Sequence, residues 1–317
     1  LARKIRLKLL PSLTREINLI NDWIAFWDLL RLIKRNQYSI VHTHSSKAGI
    51  LGRIAAYFAG VTVIVHTVHG WSFHNSMPRL TRRFYICLER ITARITDAII
   101  VVSNHDASLG LKNNIGHQDK YHLIRSAIPQ GEFSTTNADR RLIRQELGIP
   151  DDVPLLGNVG RFSTQKNPLE WVQVAKLVKQ AVPDCYFLLV GDGPLHSQVV
   201  SMLAKSGLSQ CTLLPGIRRD VHRVLAAMDV FLLTSLWEGL PRVIPEAMLV
   251  GVPVVTSDVG GSAEIIQNGI TGYVCLPGET QEFSLRCIEL LTDPEKRYKI
   301  AEAARQFVSQ SFDLSQM

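Results

Sequence analysis

Ser235-Leu-Trp-Glu238-Gly239-Leu240-Pro241-Arg-Val-Ile-Pro-Glu246-Ala-Met follows directly on the apolar run 229–233. A short run of Val, Phe and Leu closed by a polar turn reads as a strand buried on both faces. The residues after it switch to a helical pattern over 242–250, with Pro241 suited to the first turn. A strand that enters a helix in this way is one βα unit of a parallel sheet. Glu238 then lies in the loop at the strand's carboxyl end, where such sheets hold ligands. Gly239 lets the backbone approach a ligand closely. The helix start offers N–H groups and a positive dipole end to a phosphate. Seven residues separate Glu238 from Glu246, so Glu246 sits about one turn into the helix and can face the same crevice. Two carboxylates there suit recognition of vicinal hydroxyls. An isolated acid pair would merely complement the helix dipole; the loop placement and the Gly-Leu-Pro favour a ligand.

The same alternation extends outward along the chain. Strand candidates fall at 38–42, 62–67, 98–102 and 121–125, then at 154–159, 185–190, 211–214, 229–233, 252–256 and 272–276. Helical patterns lie between them, for example at 19–35, 78–95, 167–181, 242–250 and 294–309. Strand–helix alternation implies right-handed crossovers and doubly wound sheets. A length of 317 residues argues for two domains. Residues 134–152 are polar, close on turn signals and hold a short helix-like stretch around Leu142–Leu147, which makes them the expected hinge. The expected fold is α/β: an N-terminal Rossmann-like domain over 1–135, a linker over 136–152 and a second Rossmann-like domain over 153–317, facing a central cleft.

Other segments carry candidate chemistry. Arg161 and Lys166 follow the first strand of the second domain, and a guanidinium fork with a point ammonium suits a diphosphate. Two cations near a helix start are otherwise unfavourably placed. Gly191-Asp-Gly193-Pro194 reads as a tight strand-to-helix turn and lacks the G-x-G-x-x-G spacing of a dinucleotide fingerprint. His69 ends the strand 62–67, with His66 and His74 as competitors for a ligand contact. His42 and His44 share one strand face, but no third ligand is evident, so no metal site is expected. Lys47 and Arg53 follow that strand and suit a phosphate on an acceptor. The segment Leu19–Leu30, with Trp23, Phe26 and Trp27 and basic residues behind it, reads as a core-facing helix, with an interfacial helix as the alternative.

Read in order, Val159-Gly160-Arg161-Phe-Ser-Thr-Gln-Lys166-Asn, Val190-Gly191-Asp-Gly193-Pro, the Glu238-x7-Glu246 segment, Gly251-Val-Pro-Val-Val-Thr-Ser-Asp258-Val-Gly260-Gly261-Ser-Ala-Glu264 and Asn268-Gly-Ile-Thr-Gly272 resemble the signature of family 4 glycosyltransferases. Val41-His42-Thr43-His44-Ser45-Ser46-Lys47-Ala48-Gly49 and His66-Thr67-Val68-His69-Gly70 resemble the branch that builds bacterial capsule, exopolysaccharide and O-antigen chains. The resemblance covers almost the whole chain. It implies the GT-B fold and a retaining transfer of sugar from a nucleoside diphosphate sugar, such as a UDP-sugar, to a glycan or lipid-diphosphate-linked acceptor. It implies that Arg161 and Lys166 bind the leaving diphosphate and that Gly160, Gly191 and Gly193 line the nucleotide pocket. Gly216, Ile217 and Arg218 are expected to meet the base. Glu238, Gly239, Leu240, Pro241 and Glu246 are expected at the sugar and ribose. His69 is expected to touch the donor sugar, so His69, Glu238, Arg161 and Lys166 form the expected catalytic set. No cofactor and no metal is expected, since Asp-x-Asp is absent and the two cations can neutralise the diphosphate.

Charge is uneven: residues 1–135 carry +10 and the remainder −3, within a total of +7. Basic residues are dense at Arg3–Lys8, Arg31–Arg35 and Arg79–Arg83. The basic half suits an anionic membrane surface or a diphosphate, set against an ordinary solvated face. No nucleic-acid motif accompanies it. Five scattered cysteines without a C-x-x-C pair fit reduced cytosolic usage. No apolar run approaches the roughly 20 residues of a spanning helix. The expected location is therefore cytoplasmic, peripheral on the inner membrane face. The chain opens on Leu1 with only Ile5–Leu10 as an early extended segment, and it stops at Phe312–Met317. Against the family pattern both ends read as truncated and the first domain as incomplete. A non-catalytic nucleotide-sugar-binding remnant and a GT-B epimerase are the rival readings.

Overall fold

A computed structural model describes residues 7–14, 17–74, 77–133 and 137–312, and it divides into two units with the break after Ile124. The first unit runs α1 (Leu19–Asn36), β1 (Ile40–His44), α2 (Ser46–Ala59), β2 (Val63–Val68), α3 (Arg79–Arg94), β3 (Ala98–Val101), α4 (Asn104–Lys112) and β4 (Tyr121–Leu123). Its four strands are parallel and lie in the order β1-β2-β3-β4. The Asn18 side chain accepts the Ile20 and Asn21 N–H groups and starts α1. Gln37, at φ 50°, ends that helix in the left-handed region. The turn this makes delays β1 to Ile40–His44, later than the expected 38–42. Residues 5 and 6 of the early extended segment lie outside the described residues, as does most of the Arg3–Lys8 cluster, and Leu7–Leu10 form no strand.

Helix α1 has two apolar faces. Ala25, Leu30 and Ile33 are buried, as a core-facing helix requires. Leu19, Ile20, Trp23, Ile24 and Trp27 stay exposed, Trp23 by 63%. The two sets are interleaved in sequence at near-helical spacing, so no reading of periodicity alone separates them.

The second unit contains α5 (Asn137–Leu147), β5 (Leu155–Val159), α6 (Pro168–Ala181), β6 (Tyr186–Val190), α7 (His196–Lys205), β7 (Thr212–Leu213), α8 (Val221–Ala226), β8 (Val230–Leu233), α9 (Val243–Leu249), β9 (Val254–Ser257), α10 (Ser262–Ile265), β10 (Tyr273–Cys275), α11 (Thr280–Thr292) and α12 (Pro294–Ser311). Six parallel strands lie in the order β10-β9-β8-β5-β6-β7. Winding starts at β5, goes out through β6 and β7, then returns to β8 on the other side. The chain therefore reverses between β5 and β8, the switch point where such sheets bind ligands. Successive strand residues point to opposite faces, and both faces are apolar. Leu156, Phe187, Leu189, Val230 and Leu232 enter one core with Trp171 and Phe283. Leu155, Leu188, Val190, Phe231 and Leu233 enter the other with Ile244 and Met248. This is why the strands read as continuous apolar runs.

The expected linker 136–152 is part of the second unit, apart from residue 136, which with 134 and 135 lies outside the described residues. Its helix α5 is fixed by Arg144, whose buried guanidinium donates to the carbonyls of Ala227, Pro150, Asp151 and Val153 and, at 2.8 Å, to Asp229. Asp229 also accepts from Arg140 and from the Leu155 amide that opens β5. Breaking such a buried pair leaves an uncompensated charge, so this stretch is a rigid brace of the sheet. Ile128 N–H donates to the Phe312 carbonyl at 3.2 Å, which ties the start of the unit to the end of α12. Residues 313–317 of the expected abrupt end lie outside the described residues.

Candidate functional site

In the second unit the loops leaving the carboxyl ends of the strands are stitched edge to edge. Phe162 N–H donates to the Asp192 carbonyl at 3.0 Å and Leu195 N–H to Phe162 at 3.0 Å, joining the loops after β5 and β6. Gly191 N–H donates to the Gly216 carbonyl at 2.8 Å, which brings in the loop after β7. Leu236 N–H donates to Gln165 at 2.8 Å, and Gly261 N–H to Gly239 at 2.7 Å, which adds the loops after β8 and β9. Two glycines make this closeness possible. At Gly191, φ is +136° and a Cβ would strike the Gly160 carbonyl. At Gly260, φ is +55° and a Cβ would strike the Glu238 carbonyl.

Around the switch point, Lys166 Nζ donates to Glu238 Oε1 at 2.6 Å. Gln165 Nε2 donates to the Trp237 carbonyl at 3.0 Å and, more weakly, to Glu238 Oε2 at 3.4 Å. Glu238 is thus a largely buried carboxylate held in place by two neighbours from the β5 loop. An ammonium has three N–H donors, and Glu238 engages one of those on Lys166. Arg161 is exposed and forms no ion pair with a described residue. Its guanidinium is open to an anion beside a Lys–Glu pair that already offsets itself.

Glu246 stands on the other side of the β8 loop, with its side chain 15% exposed. Burial pushes its carboxyl above the usual carboxylate range, while Arg242, 3.6 Å away and more than half exposed, pulls it down more weakly. A carboxylate held in that environment gains from any hydroxyl donors brought to it. Helix α9 begins at Val243, so Pro241 precedes it rather than filling its first turn as expected. The Ile244 amide is already spent on the Pro241 carbonyl at 3.1 Å. The seven-residue α9 therefore contributes mainly by placing Glu246, not by presenting open amides to phosphate.

The sequence-predicted residues Gly160, Arg161, Lys166, Gly191, Gly193, Gly216, Glu238, Gly239, Leu240, Pro241 and Glu246 all lie on these five loops or at the start of the following helix. Ile217 is exposed beside them. The guanidinium of Arg218 is occupied, donating to Asp220 at 2.7 and 2.9 Å and pairing with Glu146. What Arg218 offers a ligand is therefore backbone. Gln165 and Gly260 lie within the quoted motifs but carry no assigned role there; Gln165 sits next to Lys166 in the same turn.

In the first unit, Arg53 is not an acceptor-side cation. It is 1% exposed, donates from Nε to the Gly49 carbonyl at 3.0 Å and pairs with the equally buried Glu89 at 2.7 Å. Its charge belongs to the packing of α2 on α3. Lys47 is paired with Asp22 at the start of α1. His66 is 2% exposed and packs against Gly49 and Arg53. Thr43 Oγ1 donates to the Val65 carbonyl at 3.2 Å and accepts from His66 Nδ1 at 2.9 Å. Burial, helped by Arg53, pushes that imidazole down to about 3, so His66 is a neutral core group. His69 is exposed beyond β2, and burial and His44 hold its imidazole below the usual range. Among the described residues no group of three or more His, Cys, Asp or Glu is arranged to hold a metal ion. Among the described residues no helix is long and apolar enough to cross a membrane.

Two Rossmann-like parallel-sheet units, with a cation–carboxylate site at the switch point of the second, define a GT-B nucleotide-sugar enzyme. Residues 139–307 match the family model for glycosyl transferases group 1, and residues 3–129 match that for glycosyltransferase family 4. The chain belongs to this glycosyltransferase family, whose activity is on nucleotide sugars. It is 33% identical to the UDP-Gal:alpha-D-GlcNAc-diphosphoundecaprenol alpha-1,3-galactosyltransferase of Escherichia coli, over 98% of this chain and 81% of that protein. It is 30% identical to the N-acetyl-alpha-D-glucosaminyl L-malate synthase of Bacillus anthracis, over 90% of this chain and 73% of that one. Among solved structures, Anabaena HepE in complex with UDP-glucose superposes with a TM-score of 0.82 at 25% identity, covering 92% of this chain and 79% of that one.

Proposed function

We propose that this protein transfers a hexose from a UDP-sugar, with retention of anomeric configuration, to a lipid-diphosphate-linked sugar during cell-surface polysaccharide synthesis. The observation that carries the reading is the cluster of Arg161, Lys166, Glu238 and Glu246 around the β5–β8 switch point. Arg161 and the remaining N–H donors of Lys166 take the diphosphate and stabilise the charge that grows as it leaves. Glu246 accepts the ribose hydroxyls. Glu238, oriented by Lys166 and Gln165, accepts hydroxyls of the transferred sugar. Gly216 and Ile217 meet the base through backbone groups, and His69 touches the donor sugar. The acceptor attacks on the face that the diphosphate leaves, and the leaving phosphate accepts its proton. The site needs no metal, because its own cations offset the diphosphate.

The names of the relatives support the donor and acceptor classes: one acts on UDP-galactose and a diphosphoundecaprenol-linked sugar, and a solved neighbour holds UDP-glucose. The basic first half, with exposed Arg31, Lys34, Arg35, Arg79 and Arg83, supports a peripheral contact with an anionic membrane on the cytoplasmic side, where such an acceptor resides. Calorimetry with UDP, UDP-glucose and UDP-galactose tests the donor site. The parent should bind each nucleotide, and Arg161→Ala should weaken binding at least tenfold, as expected for loss of a charge-assisted bond worth about 1.5–3 kcal/mol. Equal binding by parent and variant would remove the diphosphate from this site.

A further inference from the structure

Three histidines stand at the carboxyl end of the first unit's sheet, and two of them have no part in the function described above. In the β1–β2 ladder His42 is in register with Val65 and His44 with Thr67. The side chains instead pair diagonally, each reaching the residue two positions further on in the chain. His42 Nε2 and Thr67 Oγ1 are 2.7 Å apart, and His44 Nδ1 and His69 Nε2 are 3.0 Å apart. The His44 and His69 ring centroids are 5.3 Å apart with an interplanar angle of 22°, so the rings meet edge to edge, and the His42 and His44 centroids are 4.3 Å apart. Alternate residues of a strand share a face, so His42, His44 and Thr67 form one polar row on β1 and β2, which His69 extends just past the end of β2.

We propose that His44 is a positioning residue for His69, fixing the plane and tautomer of that imidazole through the Nδ1···Nε2 hydrogen bond. The proposal rests on the reading that His69 touches the donor sugar. A neutral imidazole has one N–H and one acceptor nitrogen. A bond between two neutral rings therefore holds a single proton, and the tautomer of one ring sets that of the other. With Nε2 engaged, His69 has only Nδ1 to offer a ligand. Burial and the neighbouring His44 depress the proton affinity of His69, which keeps it in the neutral form this pairing requires. His69 sits just past the end of β2, ahead of Gly70 at φ +104°. The β1 strand, paired along its length with β2, supplies through His44 a restraint on that ring. A group that must meet a sugar in its transition-state geometry gains from such restraint in turnover rather than in ground-state affinity.

The test uses the full chain with four variants: His44→Phe, His44→Gln, His69→Ala and the double variant His44→Phe/His69→Ala. Phenylalanine keeps a planar ring at this position and loses the hydrogen bond, while glutamine keeps a donor and an acceptor. His44→Phe should lower kcat about tenfold, the loss of one hydrogen bond, with KM for the UDP-sugar within about twofold. His44→Gln should recover most of that loss. The double variant should be no slower than His69→Ala alone, because the two residues act as a unit. Nitrogen-15 spectra of the His69 ring should show its Nδ1 and Nε2 signals shifting in His44→Phe and not in His44→Gln. If His69→Ala is impaired while His44→Phe turns over like the parent, or if the two losses multiply, His44 is not positioning His69. If His69→Ala itself turns over like the parent, the underlying reading of His69 is what fails.

Discussion

Replacing Glu246 by Gln should weaken the donor site while leaving the fold as stable as before or more so. The carboxyl is mostly buried, and Arg242, the cation paired with it among the described residues, lies 3.6 Å away. Burial therefore raises its proton affinity. For an acid raised in this way, the folded state is favoured when the group is protonated. That contribution is present below the unfolded value and is lost as pH rises through the folded one. At pH 7.5 the parent thus bears the cost of a buried, poorly paired carboxylate, and a neutral amide of the same shape removes it. Function moves the other way. A charged acceptor facing ribose hydroxyls is worth about 1.5–3 kcal/mol, or roughly 10- to 150-fold in donor affinity. The assays are calorimetry with UDP and thermal unfolding at pH 5 and pH 7.5. Donor affinity should fall by that factor, and Tm at pH 7.5 should hold or rise, with a smaller gap between the two pH values than in the parent. Unchanged affinity, or a Tm that drops at pH 7.5, would refute the reasoning.

The second acid should behave differently: Glu238→Gln breaks the pair with Lys166, so it should lower both donor use and stability, the latter by about 1–3 kcal/mol in urea unfolding. A variant as stable as Glu246→Gln would contradict that distinction. Arg53→Met should destabilise by about 3–5 kcal/mol through the orphaned Glu89 and leave KM for the acceptor unchanged; a selective rise in acceptor KM would return Arg53 to the acceptor side. Sedimentation with vesicles should show pelleting with anionic lipid at low salt that fades at high salt, whereas equal pelleting with neutral and anionic vesicles would leave the basic residues as a solvated face.

Much of the second unit was legible because its signals are local. A strand buried on both faces must be apolar at every position, so β5, β6, β8 and β9 stand out within a residue or two of their limits. The loop residues Arg161, Lys166, Glu238 and Glu246 follow those strands directly, and sequence adjacency to a strand end already fixes which end of the sheet they occupy. What escaped was set by distant partners. Arg53 reads as a surface cation until Glu89, 36 residues away, is seen against it. A signal did exist, since Glu89 falls at helical spacing with the buried Ile86 and Ala93, and an acid on an apolar face needs a partner. Residues 136–152 read as a linker because they are polar. The carbonyls and carboxylate that bind Arg144 come largely from residues near 150 and 228, which only the folded sheet brings together. The second apolar face of α1 is hidden in a pattern that satisfies helical spacing twice. The diagonal His44–His69 bond depends on strand register, which the hydrophobic pattern of two strands does not specify to the single residue.

The most direct measurement of the central claim is the product itself. The chain should be incubated with UDP-glucose or UDP-galactose and a synthetic sugar linked to a lipid diphosphate, in the presence of EDTA, and the new glycosidic bond read by proton and carbon NMR. The account predicts a product that forms only when acceptor is present, carries the donor's α configuration and accumulates despite the chelator. An inverted linkage, a donor converted without acceptor, or activity abolished by EDTA and restored by Mg²⁺ or Mn²⁺ would contradict it.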